Sequence, residues 1–310
     1  MMDKQPHIPV LLKPVLTYLN CQKGGVYVDG TFGAGGYTRA ILESCRHNRV
    51  IAFDRDPTVL PTVQKFRTEF GKRFVFNADC FSAVETYLTE KADGFVLDLG
   101  VSSMQIDQPE RGFSFRFDGP LDMRMSCQGQ SAQEVVNTYN EKDLADILFQ
   151  YGEEKASRRI AHAIITYRIH TPIKTTGELA TIIHQVMPKP CDGSDSAMRT
   201  FQALRIFIND ELGELERTLH SSIRILKPQG RLVVVTFHSL EDRIVKNFMI
   251  QHSSLRPNEN RHAAPMSCVG VQNEFRVLTR KPIRADEVEL QLNPRAHSAK
   301  LRCSVREEDA

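Results

Sequence analysis

Apolar positions along the chain follow two rhythms. Short β-branched and aromatic runs stand at residues 26–28, 50–53, 74–76 and 94–97. They are too brief for helices and read as strands, with helical spacing between them. Three of these runs stop at an acid, Asp29, Asp54 and Asp98, and the third at Asn77. Strands alternating with helices predict a parallel sheet that binds ligands at the carboxyl ends of its strands. Residues 10–19, around Pro14, predict a helix packed on the first strand. The alternation stops at a long aromatic loop, 109–125. Helical spacing then dominates from 131 to 186, with cap-like signals at Ser131/Glu134, at Asn140/Asp143 and near Thr176. A Pro/Gly/Ser/Asp loop at 188–196 breaks the helical run. Residues 200–226 predict one long amphipathic helix, 227–230 a turn, 231–237 a strand and 239–249 a helix. Strands at 275–279 and 299–305 follow, with a polar loop at 256–270. The pattern predicts one α/β domain built from both ends of the chain, 1–108 and 203–310, interrupted by a mainly helical domain at 109–202.

Composition narrows the classes. The chain has 310 residues, a net charge of +2 and 41% hydrophobic residues, a globular profile. No apolar run approaches the ~20 residues of a membrane helix, and no secretory signal stands at the start. Seven scattered cysteines without a C-x-x-C pair argue against a zinc ribbon and a disulfide framework and suit a reducing cytosol. A cytoplasmic protein without membrane association is expected, and no metal site. Near-neutral charge means that any nucleic-acid surface is a local patch.

Candidate chemistry begins after the first strand. Gly30, Gly33, Gly35 and Gly36 crowd a turn that opens a helix, which bares backbone N–H groups to a ligand. A dinucleotide turn reads G-x-G-x-x-G; here the glycines after Gly33 fall at the third and fourth positions. Asp29 just before the turn is poor company for a pyrophosphate and good company for a cation such as S-adenosylmethionine. Asp54, ~20 residues on at the next strand tip, is placed for ribose hydroxyls. A nicotinamide oxidoreductase and a purely structural glycine turn remain the other readings.

Longer motifs carry a resemblance. Asp-Gly-Thr-Phe-Gly-Ala-Gly-Gly from Asp29, Asp-Arg-Asp-Pro from Asp54, Leu-Asp-Leu-Gly-Val-Ser-Ser from Leu97 and Arg-Gly-Phe-Ser-Phe from Arg111 come first. Gly-Pro-Leu-Asp-Met-Arg-Met from Gly119, Arg-Thr-Phe-Gln-Ala-Leu-Arg-Ile from Arg199, Ser-Leu-Glu-Asp-Arg from Ser239 and Asn-Pro-Arg-Ala-His-Ser-Ala-Lys-Leu-Arg from Asn293 follow. Together they resemble the ribosomal RNA small subunit methyltransferase H family, also called MraW, over nearly the whole chain. The resemblance implies a Rossmann-like, seven-stranded class I methyltransferase sheet with an inserted helical domain for substrate recognition. It implies S-adenosylmethionine-dependent N4-methylation of one cytidine in the decoding region of bacterial 16S rRNA, with the small ribosomal subunit as partner and a homodimer left open. Its cofactor contacts carry over to Gly35, Gly36, Tyr37, Asp54, Phe81, Asp98 and Gln105, with Gly33 in the same turn. Tyr37 stands where many members have His, and His297 where many have Arg.

Within that reading, Asp98 is the candidate acceptor for the cytosine amine, with cofactor contact alone as its rival. Ser102 and Ser103 are lesser candidates, read first as helix caps. Asp29 faces the cofactor amino group or only holds the turn, Phe81 flanks adenine or only fills core, and His238 reads as structural. Phe113, Phe115 and Phe117 alternate with Arg116 as a lid over a base, or seal the inserted domain. Arg158, Arg159, Arg168, Lys174, Arg295, Lys300 and Arg302 are phosphate candidates, set against a solvated charged surface. A non-catalytic RNA-binding factor and a DNA amino-methyltransferase, the latter lacking its Pro-Pro-aromatic signature here, complete the alternatives.

Overall fold

The structure, a computed structural model, describes residues 9–187, 195–255 and 273–308. The expected loop at 256–270 lies outside them, as does that at 188–196 except for its last two positions. The chain divides into two compact units, Met1–Gly100 with Gly213–Ala310, and Val101–Leu212.

In the first unit, β1 (Gly25–Asp29), β2 (Asn48–Phe53), β3 (Phe74–Asn77), β4 (Ala92–Asp98), β5 (Leu226–Thr236), β6 (Phe275–Val277) and β7 (Lys300–Arg306) form one sheet. Its order is β3-β2-β1-β4-β5-β7-β6. The pairs from β3 to β5 are parallel, and β7 runs antiparallel to both neighbours. Its parallel part is the α/β sheet that the pattern predicts, and its seven strands are those of the Rossmann-like sheet that the resemblance implies. Register aligns Asp29 with Val96 and Asp98 with Val235. Side chains alternate along a strand, so one face carries Val26, Val28, Phe95, Leu97, Leu232 and Val234, packed with Leu215, Leu219, Val245 and Phe248. Each such buried side chain stabilises the fold by about 1.5–3 kcal/mol. The same alternation puts Asp29, Val96, Asp98 and Val235 on the opposite face.

The 227–230 turn is an excursion inside β5. Ala92 pairs with Leu226 and Gly94 with Arg231, so four residues including Pro228 are looped out, and Gln229 takes φ 66°. A short helix, Glu287–Leu292, was not expected; Val288 and Leu292 are exposed, which leaves it no amphipathic pattern.

The second unit holds helices Ala132–Thr138, Glu141–Gly152, Ser157–Arg168, Thr176–Val186 and Met198–Asn209 around a core that includes Leu144, Leu148, Ile160, Ile164, Leu179, Ile183 and Leu204. Ser131 and Glu134 form the expected capping box, and Asn140 caps the next helix. The third cap is Thr175, paired with Glu178, one residue before the expected start.

The single helix expected over 200–226 is two, Met198–Asn209 and Glu211–Ile225, broken where Asp210 takes φ 47°. The Asn209 side chain leaves the helix pattern to grip a loop, donating to the Met123 carbonyl and accepting from the Met125 N–H, both at 2.8 Å. The units accordingly meet along the chain at Gly100/Val101 and Leu212/Gly213, not at 108/109 and 202/203.

Candidate functional site

The turn after β1 is tied to both neighbouring strands. Gly30 N–H donates to the Val96 carbonyl of β4, and Phe32 N–H to the Phe53 carbonyl of β2. The Thr31 hydroxyl accepts from the Asp98 N–H at 2.7 Å. A Cβ on Gly30 would lie 2.4 Å from a Leu97 methyl, so only glycine fits between these strands. Gly33 N–H donates to Asp54 at 2.7 Å. Gly35 takes φ 81° at the start of helix Gly36–Ser44, a conformation that L side chains rarely adopt. Gly33 faces open space: a Cβ there would meet only the Thr31 carbonyl oxygen, at 3.9 Å.

Four acids gather at the carboxyl rim of this unit. Asp29 is fully buried and accepts from the Thr38 hydroxyl at 2.7 Å and the Thr31 N–H at 3.1 Å. Burial pushes its carboxyl upward against those hydrogen bonds. Asp54 accepts from Gly33 and from the Asp56 N–H, and burial raises its carboxyl to about 6. Asp98 is raised well above the usual carboxylate range, first by burial and then by the charges of Asp29 and Glu241. Its Oδ1 is buried without a hydrogen-bond partner. Glu241, 2% exposed, accepts from the Phe237 N–H and faces His238 Nε2 at 3.0 Å. An isolated buried carboxylate costs free energy unless it is paired. A cation entering this rim relieves that cost and an anionic pyrophosphate worsens it, which sets the nicotinamide reading back. The open glycine cradle and the buried acids around it fit the cationic end of S-adenosylmethionine.

Other expected contacts sort themselves. Phe81, half-buried, opens a 3-10 turn after β3 and packs its Cβ near Gly30. Tyr37 is buried with its hydroxyl donated to the Val10 carbonyl, so its phenol is spent inside the fold and its backbone N–H is the group at the helix start. Gln105 belongs to the second unit and is buried, its side-chain oxygen accepting from the Ser102 N–H at 2.9 Å. Glu241 was visible only inside a longer motif: its cap partner is His238, outside the Ser/Thr/Asp/Asn set that signals a helix start.

The aromatic loop splits. Phe113 is buried, Phe115 packs edge-on against Phe201 at 5.7 Å, and Phe117 is 52% exposed beside exposed Arg116. The backbone around Phe117 is pinned: its carbonyl accepts from Thr176, and Asp118 accepts from the Gly177 N–H. Arg158, Lys174 and Arg295 are exposed, and Arg159 reaches the Met187 sulfur. Arg168 donates to the Val136 carbonyl, while Arg302 and Lys300 are held by Asp242 at 2.6 and 3.3 Å. Arg302 and Lys300 are thus structural before they are phosphate ligands.

Among the described residues, no helix is long and apolar enough to cross a membrane. The model of the MraW methylase family matches residues 4–307. A protein of Rhodospirillum rubrum called ribosomal RNA small subunit methyltransferase H is 51% identical over 310 residues, covering 98% of this chain and 95% of its own. Its namesake in Methylobacterium nodulans is 52% identical over 307 residues, covering 97% and 90%. The crystal structure of an rRNA methylase from Streptococcus thermophilus aligns with TM-score 0.42 at 11% identity, covering 99% of this chain and 100% of that one. Matched from its fourth residue to its 307th, the chain belongs to the MraW methylase family.

Proposed function

We infer that the protein transfers a methyl group from S-adenosylmethionine to the N4 amine of a cytidine in the decoding region of bacterial 16S rRNA, within the small ribosomal subunit and in the cytoplasm. The names of its relatives support the rRNA substrate. The observation that carries the chemistry is the partnerless Oδ1 of Asp98 at the tip of β4.

Bound S-adenosylmethionine supplies a methyl group already activated by a sulfonium. The backbone of Gly33, Gly35 and Gly36 would line the donor, Asp54 would accept from ribose hydroxyls, Phe81 would flank the adenine, and the acids of the rim would face its positive charge. The amine needs more help than the donor, because its lone pair is delocalised into the ring. Asp98 accepting an N4–H lets that nitrogen pyramidalise and aims its lone pair, so positioning is the main task. As nitrogen gains the methyl it carries a surplus proton, which passes to Asp98 Oδ1 and on to water. The Val101–Leu212 unit would recognise the RNA, with exposed Phe117 and Arg116 as its contacts.

Labelled methyl transfer to naked rRNA, to small subunits and to whole ribosomes from a deletion strain, with the product nucleoside identified, tests this. N4-methylcytidine in the small-subunit RNA is expected, and its absence from all three substrates overturns the proposal. Asp98→Ala, folded by circular dichroism, should lose at least a hundredfold in turnover.

A further inference from the structure

Methyltransferases acting on DNA base amines place an aromatic within the acid-bearing motif after β4. Here the equivalent stretch is Asp98-Leu99-Gly100-Val101, which has none. We propose that Phe237, at the end of β5, supplies the missing base-stacking ring, with the pyrimidine lying against it while its exocyclic nitrogen reaches Asp98. This rests on the base-methylation reading above.

Geometry on the rim carries it. Asp98 pairs with Val235, and the ladder continues past the strand end through Leu99 N–H to the Val235 carbonyl at 3.0 Å. Phe237 is two residues further on, just past the end of the strand at Thr236, about 7 Å at ~3.3 Å per residue. Its ring comes beside Gly100: a Cβ there would lie 3.6 Å from a Phe237 ring carbon. Gly100, at φ 93°, offers bare backbone at this point. Phe237 is partly exposed, and no aromatic ring stacks on it among the described residues. Its backbone is fixed by its own N–H donating to buried Glu241 at 2.8 Å. An aromatic beside Gly100, two residues along the chain from a partnerless acceptor, is what an unpaired base needs: one face to stack on and one edge to hydrogen-bond.

Phe237→Leu keeps apolar bulk and removes the π face, and Phe237→Tyr keeps both. Methyl transfer to small subunits from a deletion strain is measured for both beside the wild type. S-adenosylmethionine affinity is read by calorimetry, together with quenching of pyrrolocytosine placed at the target position. Phe237→Leu should lose about ten- to a hundredfold in kcat/KM, the range of base–aromatic stacking, and should lose the quenching, with donor affinity within twofold of wild type. Phe237→Tyr should retain both. Normal kcat/KM in Phe237→Leu, or a loss matched by weaker donor binding, overturns the assignment while wild-type N4-methylcytidine leaves the broader reading standing. A wild type that makes no N4-methylcytidine overturns both.

Discussion

Replacing Gly35 by alanine tests the glycine cradle most directly. The new Cβ would lie 2.5 Å and 2.8 Å from two Phe66 ring carbons and 3.1 Å from Phe32. Phe66 cannot withdraw: it is 3% exposed and touches Phe32, Phe70 and Phe74 at centroid separations of 5.2, 5.4 and 5.3 Å. Overpacking of this kind costs about 1–3 kcal/mol. The backbone at φ 81° adds about 1–2 kcal/mol for any residue with a Cβ. Stiffening of the unfolded chain offsets about 0.4–1 kcal/mol. The net loss is about 1–4.6 kcal/mol, a large share of the ~5–15 kcal/mol that holds a typical protein folded. Urea unfolding followed by circular dichroism, with and without Phe66→Leu, separates the parts. In the Phe66→Leu background the clash is relieved, so Gly35→Ala should cost at most about 1.6 kcal/mol, and the two changes should be non-additive by at least about 1 kcal/mol. Equal cost in both backgrounds, or a loss below about 1 kcal/mol in the parent, refutes the reasoning.

Three further outcomes follow. Asp54, raised by burial to about 6 from an unfolded value of ~3.9, binds its proton more tightly when folded; its charge costs nothing below about pH 4 and on the order of 3 kcal/mol above about pH 6. Asp54→Asn should therefore flatten the fall in stability between those limits, seen as urea midpoints across pH. Burial raises the carboxyl of Asp242, but the hydrogen bonds and charges of Arg302 and Lys300 outweigh it and hold the group below its usual range. Its contribution is full above the unfolded value and lost as pH falls through the folded one. Asp242→Ala leaves Arg302, 8% exposed at the side chain, unpaired, so thermal unfolding at pH 7 should show a loss of about 3–5 kcal/mol. Phe117→Ala should weaken binding of the target RNA about tenfold, by filter binding at fixed salt, with donor affinity unchanged.

The strands were legible because buried parallel strands are unbroken apolar runs, and the rim because three of those runs end in an acid. Asp29, Asp54 and Asp98 could be placed before any coordinate was known. Glu241 could not, because what brings it to the rim is a histidine cap and a strand order that puts β5 beside β4. The break at Asp210 was hidden by apolar periodicity that runs straight through it. The helix ends where Asp210 turns left-handed, next to an Asn209 side chain bonded to a loop more than 80 residues earlier in the chain. Among the three phenylalanines of the aromatic loop, sequence spacing is the same and burial is not, since burial depends on which helices pack beneath each one. Tyr37 shows the converse: the family resemblance put it among the donor contacts, but its hydroxyl is used by the Val10 carbonyl.

The excursion of the chain between β4 and β5 shapes how the protein is born. Gly100 leaves the ribosome with β4 finished on one side only, its other edge a row of bare amides and carbonyls. The strand that covers this edge, β5, is completed at Thr236, about 140 residues later, or roughly 7–30 s at ~5–20 residues per second. During that interval the nascent sheet is a template for any stray extended segment. Chaperone occupancy that peaks in this window, and declines once β5 emerges, is the signature such a topology should leave in a translating cell.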